Sequence, residues 1–327
     1  MRALKVYSFK NIEKLISTRK GETKFGEKLQ FISEWDTLKD QKAKYVLFGI
    51  PEDIGVRANH GKAGTSGAWM AALKSLVNIQ QNRFNKPESL LLLGEMNCGE
   101  WMEKASNLGE EDPNYHVKLG DLVKEIDEQV SAIVEKIVAA GKIPIILGGG
   151  HNNAFGNIKG SAKALKKPLN VINIDAHTDL RQLEHRHSGN GFSYAIKGEY
   201  LKNYHVFGLQ KNYTPEYIFQ EMEQSETLTY SLAEELFSED VSERFSEELE
   251  KIAQADFGLE LDCDAITGFP SSAVSPSGFS VNAVRRFISM AGKKENCHYF
   301  HICEASPTEN DAQTGKALAY FISDFIR

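Results

Sequence analysis

Short, continuous runs of apolar residues recur along the chain, and each has the length of a buried strand. Because these runs are apolar throughout rather than alternating, they are typical of a parallel sheet that is covered on both faces. The predicted strands are 45–50 (YVLFGI), 90–93 (LLLL), 143–147 (IPIIL), 171–174 (VINI), 205–209 (HVFGL), 257–261 (FGLEL) and 299–303 (YFHIC).

Stretches with a helical pattern lie between these strands. The clearest is 119–140, where apolar residues recur close to the 3.6-residue period and Gly141 follows as a C-terminal cap. Further predicted helices cover 66–79, 214–222, 241–253, 282–291 and 314–326. Strands that alternate with helices predict a three-layer α/β/α sandwich around a central, mainly parallel sheet.

The chain has 327 residues, a length that suits one large α/β domain or two of average size. No repeat, low-complexity tract or linker divides it. Residues 1–40 are polar and poorly patterned, and we expect them to form an extension that packs on the domain or contacts another subunit. Residues 41–327 are predicted to form a single α/β domain.

Composition narrows the classes of protein to consider. Hydrophobic residues make up 41% and charged residues 25%, which excludes wholesale disorder. A net charge of −7 argues against nucleic-acid and anionic-membrane partners. The chain start lacks a signal-peptide core, and no run of about 18 apolar residues predicts a membrane span. Four cysteines without a CxxC pair are typical of reduced, buried thiols, so we expect a cytoplasmic protein.

Three polar segments directly follow predicted strands. They are 148–151 (GGGH), 175–179 (DAHTD) and 262–264 (DCD). In an open parallel sheet, sites form outside the carboxyl ends of the strands, so all three segments should meet at one rim. Residues two apart in an extended chain share a face. Asp175, His177 and Asp179 should therefore project together, and Asp262 should lie beside Asp264.

With His151, this predicted cluster holds four carboxylates and two imidazoles. That much negative charge cannot gather in a dry crevice without cations. Oxygen-rich ligands with a minority of imidazole favour Mn²⁺, Mg²⁺ or Fe²⁺ over structural zinc. Six ligands are too many for one ion with an open position, whereas bridging carboxylates would hold two ions. A lone GGGH is more often a tight turn and a lone DxD more often faces solvent, so the hypothesis depends on all three segments together.

These residues resemble the ureohydrolase family of arginases, agmatinases and formimidoylglutamases. The family pattern is a glycine-rich loop ending in His, then DAHxD, then DxD, then a Glu near the last strand. The match runs from about residue 45 to the C-terminus, and Glu304 in HICEASP supplies the last feature. The resemblance implies a hydrolase with two Mn²⁺ per chain that cuts a C–N bond of a linear amidine or guanidine.

The resemblance also implies which residues bind each ion. Asp175 and Asp262 would bridge the two ions. His151 and Asp179 would complete one site. His177 and Asp264 would complete the other.

Within the family, the chain is most similar to formimidoylglutamases, which convert N-formimino-L-glutamate to glutamate and formamide. Gly150 stands where arginases and agmatinases usually have Asp, and segments 50–64, 175–192 and 272–278 resemble that group. Phe192 replaces the proton-shuttling His of arginases. An arginase or agmatinase remains an alternative, because SGN at 188–190 is the arginase form of the amino-acid-binding loop. A non-catalytic relative is a further alternative, favoured by Phe192 and by Thr267 in place of the last Asp of DxDxxDP. A phosphoesterase would be expected to show GNH-type motifs, which the sequence lacks.

Two residues are assigned catalytic roles as hypotheses. Asp179 would orient the attacking water and pass a proton to the leaving amine. Glu304 would bind the cationic nitrogen group of the substrate by a charge-assisted hydrogen bond. His185 and His187 are nearby alternatives for proton transfer, but we interpret both as exposed loop histidines.

The other end of the substrate is predicted to bind the loop 181–190. Ser188 and Asn190 can bind an α-carboxylate, and Arg181, Arg186 or Arg57 can meet a second carboxylate. The partners are therefore predicted to be a small-molecule substrate and, in a homo-oligomer, further copies of the chain.

Overall fold

The computed structural model of the protein describes residues 4–236, 240–308 and 312–326. Within these residues, nine strands form one sheet in the order β1-β3-β2-β4-β9-β8-β5-β6-β7. Neighbouring strands are parallel throughout, except that β1 pairs antiparallel with β3. The strands are β1 (Leu4–Val6), β2 (Tyr45–Gly49), β3 (Leu90–Met96), β4 (Ile143–Leu147), β5 (Leu169–Ile174), β6 (Leu201–Leu209), β7 (Leu228–Leu232), β8 (Phe257–Asp262) and β9 (Cys297–Cys303).

Helices cover both faces of this sheet. They are α1 (Phe9–Ile12), α2 (Ile54–Ala58), α3 (Ala68–Leu76), α4 (Gly99–Ser106), α5 (Tyr115–Ala139), α6 (Asn153–Leu165), α7 (Gly191–Lys197), α8 (Glu216–Glu223), α9 (Ala233–Leu236), α10 (Val241–Ile252), α11 (Val281–Gly292) and α12 (Ala312–Phe325). One buried apolar cluster joins the sheet to α3, α10, α11 and α12. A second joins its other face to α2 and α4–α8. The predicted three-layer α/β/α sandwich with a mainly parallel sheet is confirmed.

Successive strand residues divide between these two clusters, as the pleat of a strand requires. In β2, Leu47 packs in the first cluster, whereas Val46 and Phe48 pack in the second. All five residues of β2 are buried, and so are all five of β4. Burial on both faces is the reason why these strands are apolar without alternation.

The segment before residue 41 contributes to the sheet and to the core. Strand β1 pairs with β3 at the sheet edge, and Ile12, Phe25 and Leu38 are buried. The sequence did not indicate this strand, because three residues with a half-exposed pattern carry little signal. The division into an extension at 1–40 and a domain at 41–327 stays a prediction.

Helix α6 was not predicted, although it directly follows the GGGH segment. Its glycines lower the helix propensity of the sequence. They also permit close packing on α5, because a Cβ at Gly156 would lie 2.7 Å from the Cβ of Val130. A Cβ at Gly160 would lie 2.5 Å from the carbonyl oxygen of Ser131. Tertiary packing therefore stabilises a helix that local preference does not favour.

No helix within the described residues combines the length and the hydropathy that crossing a bilayer requires. The four cysteines are all buried and none is in a disulfide.

Candidate metal centre

The candidate site lies where four adjacent central strands end. In the sheet these strands stand in the order β4, β9, β8, β5. The GGGH segment follows β4 and Glu304 follows β9. Asp262 is the last residue of β8, and Asp175 directly follows β5. The parallel arrangement thus brings residues that are far apart in sequence to one rim.

The GGGH loop has a conformation that glycine permits. Gly148 and Gly149 have φ angles of +98° and +72°, in the region where a Cβ is strained. At Gly150, a Cβ would lie 2.7 Å from Cγ2 of Val56 and 3.1 Å from Oε1 of Glu304. The loop therefore passes close to its neighbours and turns His151 inward.

One group of candidate ligands surrounds Nδ1 of His151. This atom lies 2.8 Å from Oδ2 of Asp179, 3.0 Å from Oδ2 of Asp262 and 3.3 Å from Oδ2 of Asp175. The distances are short, yet Nδ1 has no aligned hydrogen bond among the described residues. Three carboxylate oxygens around one nitrogen fit a shared cation better than a single proton.

A second group of candidate ligands lies on the cavity side of the first. Nδ1 of His177 is 3.6 Å from Oδ1 of Asp175 and 3.9 Å from Oδ2 of Asp264. Asp175 thus presents one oxygen to each imidazole. The backbone N–H of His177 donates to the Asp175 carboxylate, and the backbone N–H of Asp264 donates to the Asp262 carboxylate. These hydrogen bonds fix the directions of both carboxylates.

The charges of the site show a shortage of positive charge. Burial raises the pKa of Asp262 well above its ordinary value, and the charges of Asp264 and Asp175 raise it further. Burial opposes protonation of His177, but Asp175 and Asp264 outweigh it and raise its pKa to about 10. The carboxylates therefore resist ionising together, and their charge favours a positively charged partner beside them. Divalent cations would supply that charge, so the residues fit a metal centre.

Glu304 forms part of the wall of a cavity of about 170 Å³ above these ligands. Its Oε1 accepts a hydrogen bond of 2.6 Å from the backbone N–H of His151, while Oε2 has no hydrogen-bond partner among the described residues. Burial and the charge of Asp264 raise its pKa to about 8. Its φ of +60° and the φ of +49° at Asp179 are uncommon for residues other than glycine. Such strain is common at functional sites.

The same cavity brings together several predicted site residues. Its lining includes His177, Asp179, Arg181, Ser188, Asp262, Asp264 and Glu304, together with Asn59 and Tyr213. The Ser188 hydroxyl accepts a hydrogen bond from Asn59 at 3.1 Å. Both Ser188 and Arg181 can therefore contact a molecule that enters from solvent.

Asn190 and Arg186 are not brought to the cavity. The Asn190 amide accepts from Arg186 and from the backbone N–H of His187, and donates to the carbonyl oxygen of His185. Arg186 is fully buried and paired with Asp127 at 2.9 Å. Both side chains shape the loop from inside rather than facing the cavity.

Arg57 is also engaged, since its guanidinium donates to the carbonyl oxygen of Ala105 and to the hydroxyl of Tyr115. Of the three arginines considered for a second carboxylate, Arg181 is the one that lines the cavity.

The interpretation of His185 and His187 as exposed loop residues is wrong. His187 is buried, with Nε2 3.0 Å from a Glu184 carboxylate oxygen and Nδ1 accepting from the backbone N–H of Gly189. His185 is half-buried against the carbonyl oxygen of Ala58. These contacts stabilise the loop and could not be read from the spacing of the histidines.

Phe192 is buried behind His151. Its ring centroid lies 5.1 Å from that of His151, and it stacks on Tyr204 at 4.3 Å. It therefore supports the ligand from behind and offers no group for proton transfer.

A buried carboxylate, Glu52, organises the GGGH loop and the two asparagines that follow it, and it was not among the predicted site residues. Glu52 accepts hydrogen bonds from Asn153 at 2.8 Å, from Asn152 at 3.2 Å and from the backbone N–H of Gly150 at 3.2 Å. The signal was present as an acidic residue directly after a predicted strand. Glu260 and His301, which lie inside strands, were also missed.

A parallel sheet whose central strands end in this cluster of carboxylates and imidazoles defines the class of the ureohydrolases, which hydrolyse C–N bonds of linear amidines. The chain belongs to the arginase family, whose model matches residues 43–326. The predicted resemblance and the predicted reaction class are both confirmed.

Similar proteins include formimidoylglutamases from two bacteria. That of Lysinibacillus sphaericus is 24% identical over 320 residues, which cover 95% of this chain and 92% of the relative. That of a Geobacillus species is 27% identical over 286 residues, which cover 84% and 80%.

Solved structures share the fold at lower identity. The structure of Trypanosoma cruzi formiminoglutamase with manganese has a TM-score of 0.74 at 18% identity and covers 93% of this chain and 97% of that one. Formimidoylglutamase from Bacillus subtilis has a TM-score of 0.73 at 17% identity and covers 94% and 92%.

Proposed function

We propose that this protein is a formimidoylglutamase that uses two manganese ions to hydrolyse N-formimino-L-glutamate to glutamate and formamide. The observation that carries the proposal is the convergence of four carboxylates and two imidazoles below a cavity that Glu304 lines. The substrate is supported by the bacterial relatives, which match along most of their length and are formimidoylglutamases.

In this proposal His151 and Asp179 would hold one ion, His177 and Asp264 would hold the other, and Asp175 and Asp262 would contribute to both sites. The distances around His151 and the two-sided placement of Asp175 support this division. Hard oxygen donors favour manganese, and the Trypanosoma cruzi structure was obtained with manganese. When bound, the ions would supply water activated as a nucleophile near neutral pH.

Glu304 is proposed to orient the substrate. Glu304 lines the cavity, and its Oε2 has no hydrogen-bond partner among the described residues, so we propose that this oxygen accepts from the cationic nitrogen of a formimino group. A hydrogen bond between opposite charges is stronger than a neutral one, and bound cations would favour the ionised carboxylate that this bond needs by opposing the rise in its pKa. The backbone N–H of His151 fixes the other oxygen and hence the direction of the carboxylate.

Asp179 is proposed to handle the proton. It lines the cavity beside the ligands, where it can accept a proton from the attacking water and give it to the departing α-amino nitrogen. Addition of water to the formimino carbon and cleavage of the bond to that nitrogen yield formamide and glutamate. Phe192 cannot replace Asp179 in this step.

Ser188 and Arg181 are proposed to bind the carboxylates of the glutamate portion, since both line the cavity. The predicted role of Asn190 stays a prediction. Because its amide is used inside the loop, we propose that it acts by holding Ser188 in place.

We also propose a location for the protein and keep the expectation about its assembly. A cytoplasmic location and a role in amino-acid degradation agree with four buried, unpaired cysteines and with the substrate. A homo-oligomer remains an expectation from the sequence.

The test compares kcat/KM for formiminoglutamate, arginine and agmatine in one manganese buffer. We expect formiminoglutamate to be the best substrate. If arginine or agmatine is better by about tenfold, a difference of about 1.4 kcal/mol in transition-state binding, the substrate assignment is wrong. If none of the three reacts, the protein is a non-catalytic relative or acts on another amidine.

A further inference from the structure

A second polar group lies behind the candidate metal centre, inside the sheet. Glu260 on β8 and His301 on β9 are directly opposite each other in the strand register, and both are completely buried. Nδ1 of His301 lies 2.5 Å from Oε2 of Glu260. Neither residue lines the cavity, so the reaction as proposed does not use them.

The same carboxylate oxygen also faces the metal ligand His151. Nε2 of His151 lies 3.5 Å from Oε2 of Glu260, and it has no hydrogen-bond partner among the described residues. His151 thus stands between two sets of carboxylates, with Nδ1 toward Asp175, Asp179 and Asp262 and Nε2 toward Glu260.

An imidazole that binds a metal through one nitrogen carries its proton on the other. That N–H is almost always donated to a carboxylate, a carbonyl oxygen or water, which fixes the tautomer and increases the basicity of the ligand. For His151, Glu260 is the carboxylate in position to accept it. A carboxylate in the apolar interior is also costly unless it is paired, and His301 supplies that pairing.

The geometry points to Glu260 as a positioning residue that holds His151 in the tautomer able to bind metal through Nδ1, with His301 holding Glu260. This inference rests on the proposed metal centre and extends it to a buried pair. It also explains why the mainly apolar strands β8 and β9 contain Glu260 and His301.

A third ion is the competing explanation. Ligand atoms of His151, Glu260, His301 and Cys303 lie within 4.8 Å of one another. The direct contact between Glu260 and His301 and the hydrogen bond from Cys303 to the carbonyl oxygen of Leu261 favour the positioning role. Both contacts engage side chains that a third ion would have to draw away from their present partners.

The experiment measures Mn²⁺ binding by calorimetry and elemental analysis in the wild type, Glu260→Gln, His301→Gln and the double variant. Gln keeps the shape of Glu260 but loses its charge. We expect the wild type to bind two ions. In Glu260→Gln, the dissociation constant of one of the two ions should be about 10–100-fold larger than in the wild type. Since both residues act through one contact, the double variant should bind about as weakly as Glu260→Gln alone.

Asp324→Asn is the matched control. Asp324 is a buried carboxylate paired with Arg285 at 2.6 Å, on a helix that contributes no ligand. Its replacement should lower the melting temperature of metal-free protein without changing Mn²⁺ affinity. A merely structural role for Glu260 would give the same result as this control.

The inference is overturned if Glu260→Gln binds both ions with wild-type affinity, or if wild-type protein holds three ions and Glu260→Gln loses one completely. Additive losses in the double variant would overturn the link between His301 and Glu260. Absence of manganese binding in the wild type would instead contradict the proposed function.

Discussion

The buried pair of Arg186 and Asp127 gives a prediction whose size follows from the contacts. Arg186 donates from Nε to Asp127 at 2.9 Å and from Nη2 to the carbonyl oxygen of Asn152 at 2.9 Å, and it also donates to Asn190. The Arg186 side chain thus joins helix α5 to the residue that follows the GGGH loop and to the loop that presents Ser188. Removing either member of the pair should therefore destabilise the protein and disturb the cavity.

The expected cost is large because water cannot reach either group. Breaking a buried ion pair by removing one partner costs about 3–5 kcal/mol. Domains are stable by only about 5–15 kcal/mol, so each single variant should lose a large fraction of its stability. We expect Arg186→Met and Asp127→Asn to lower the melting temperature by roughly 10 °C, from about 2–4 °C per kcal/mol.

The two variants should differ in how their stability depends on pH. Burial already raises the pKa of Asp127, and Arg186 opposes that rise. Without Arg186 the pKa should rise further, so the folded state binds a proton more tightly than the unfolded state. A raised folded pKa stabilises below the unfolded value and loses that contribution as pH increases toward the folded value. The deficit of Arg186→Met relative to wild type should therefore shrink on acidification, whereas that of Asp127→Asn should not.

The assay is urea unfolding of metal-free protein in chelator, at about pH 7.5 and about pH 5.5. Chelator is needed because metal binding itself depends on pH and would add its own pH dependence to the stability of each protein. The double variant Asp127→Asn/Arg186→Met removes both charges and should lose less stability than the two single variants added together. Equal pH dependence of the two single deficits, or additive losses in the double variant, would refute the reasoning.

Three further predictions concern the site. Elemental analysis after reconstitution should give two Mn²⁺ per chain, and a single tetrahedral zinc would contradict the proposed centre. Asp175→Ala and Asp262→Ala should lose more of the metal-dependent increase in melting temperature than His151→Ala, because each removes a bridge to both ions; equal losses, or no effect of chelator, would count against the bridging roles. Glu304→Gln should lower kcat/KM for formiminoglutamate about 10–100-fold, the effect of losing a hydrogen bond to a charged group, and an unchanged value would exclude the proposed contact.

The fold could be predicted where burial is complete. Strand β4 was placed at its observed bounds, because all of its residues are buried and apolar. Strand β7 was missed, because its first residues are partly exposed and it lies at the sheet edge. An edge strand pairs with only one other strand and is partly exposed to solvent, so its sequence of polar and apolar residues resembles that of a loop.

The ligand residues could be grouped for a related physical reason. His151, Asp175 and Asp262 each follow or end a central parallel strand, and the carboxyl ends of such strands meet at one rim. Their neighbours Asp179 and Asp264 are only a few residues away. Local sequence and one topological rule were therefore enough to predict that these residues lie together at one rim.

The residues that bind the glutamate portion of the substrate could not be predicted in the same way. Whether a side chain of the loop 181–190 faces the cavity depends on partners that are far away in sequence. Arg186 was considered for substrate binding, yet its partner Asp127 lies 59 residues earlier on α5. The same pairing orients the amide of Asn190 inward and leaves Ser188 and Arg181 at the cavity. A charged residue in a loop can serve the substrate or the loop itself, and the choice depends on whether a buried partner exists elsewhere in the chain. Differences among family members in substrate choice should therefore be sought in the partners of this loop as much as in its own sequence.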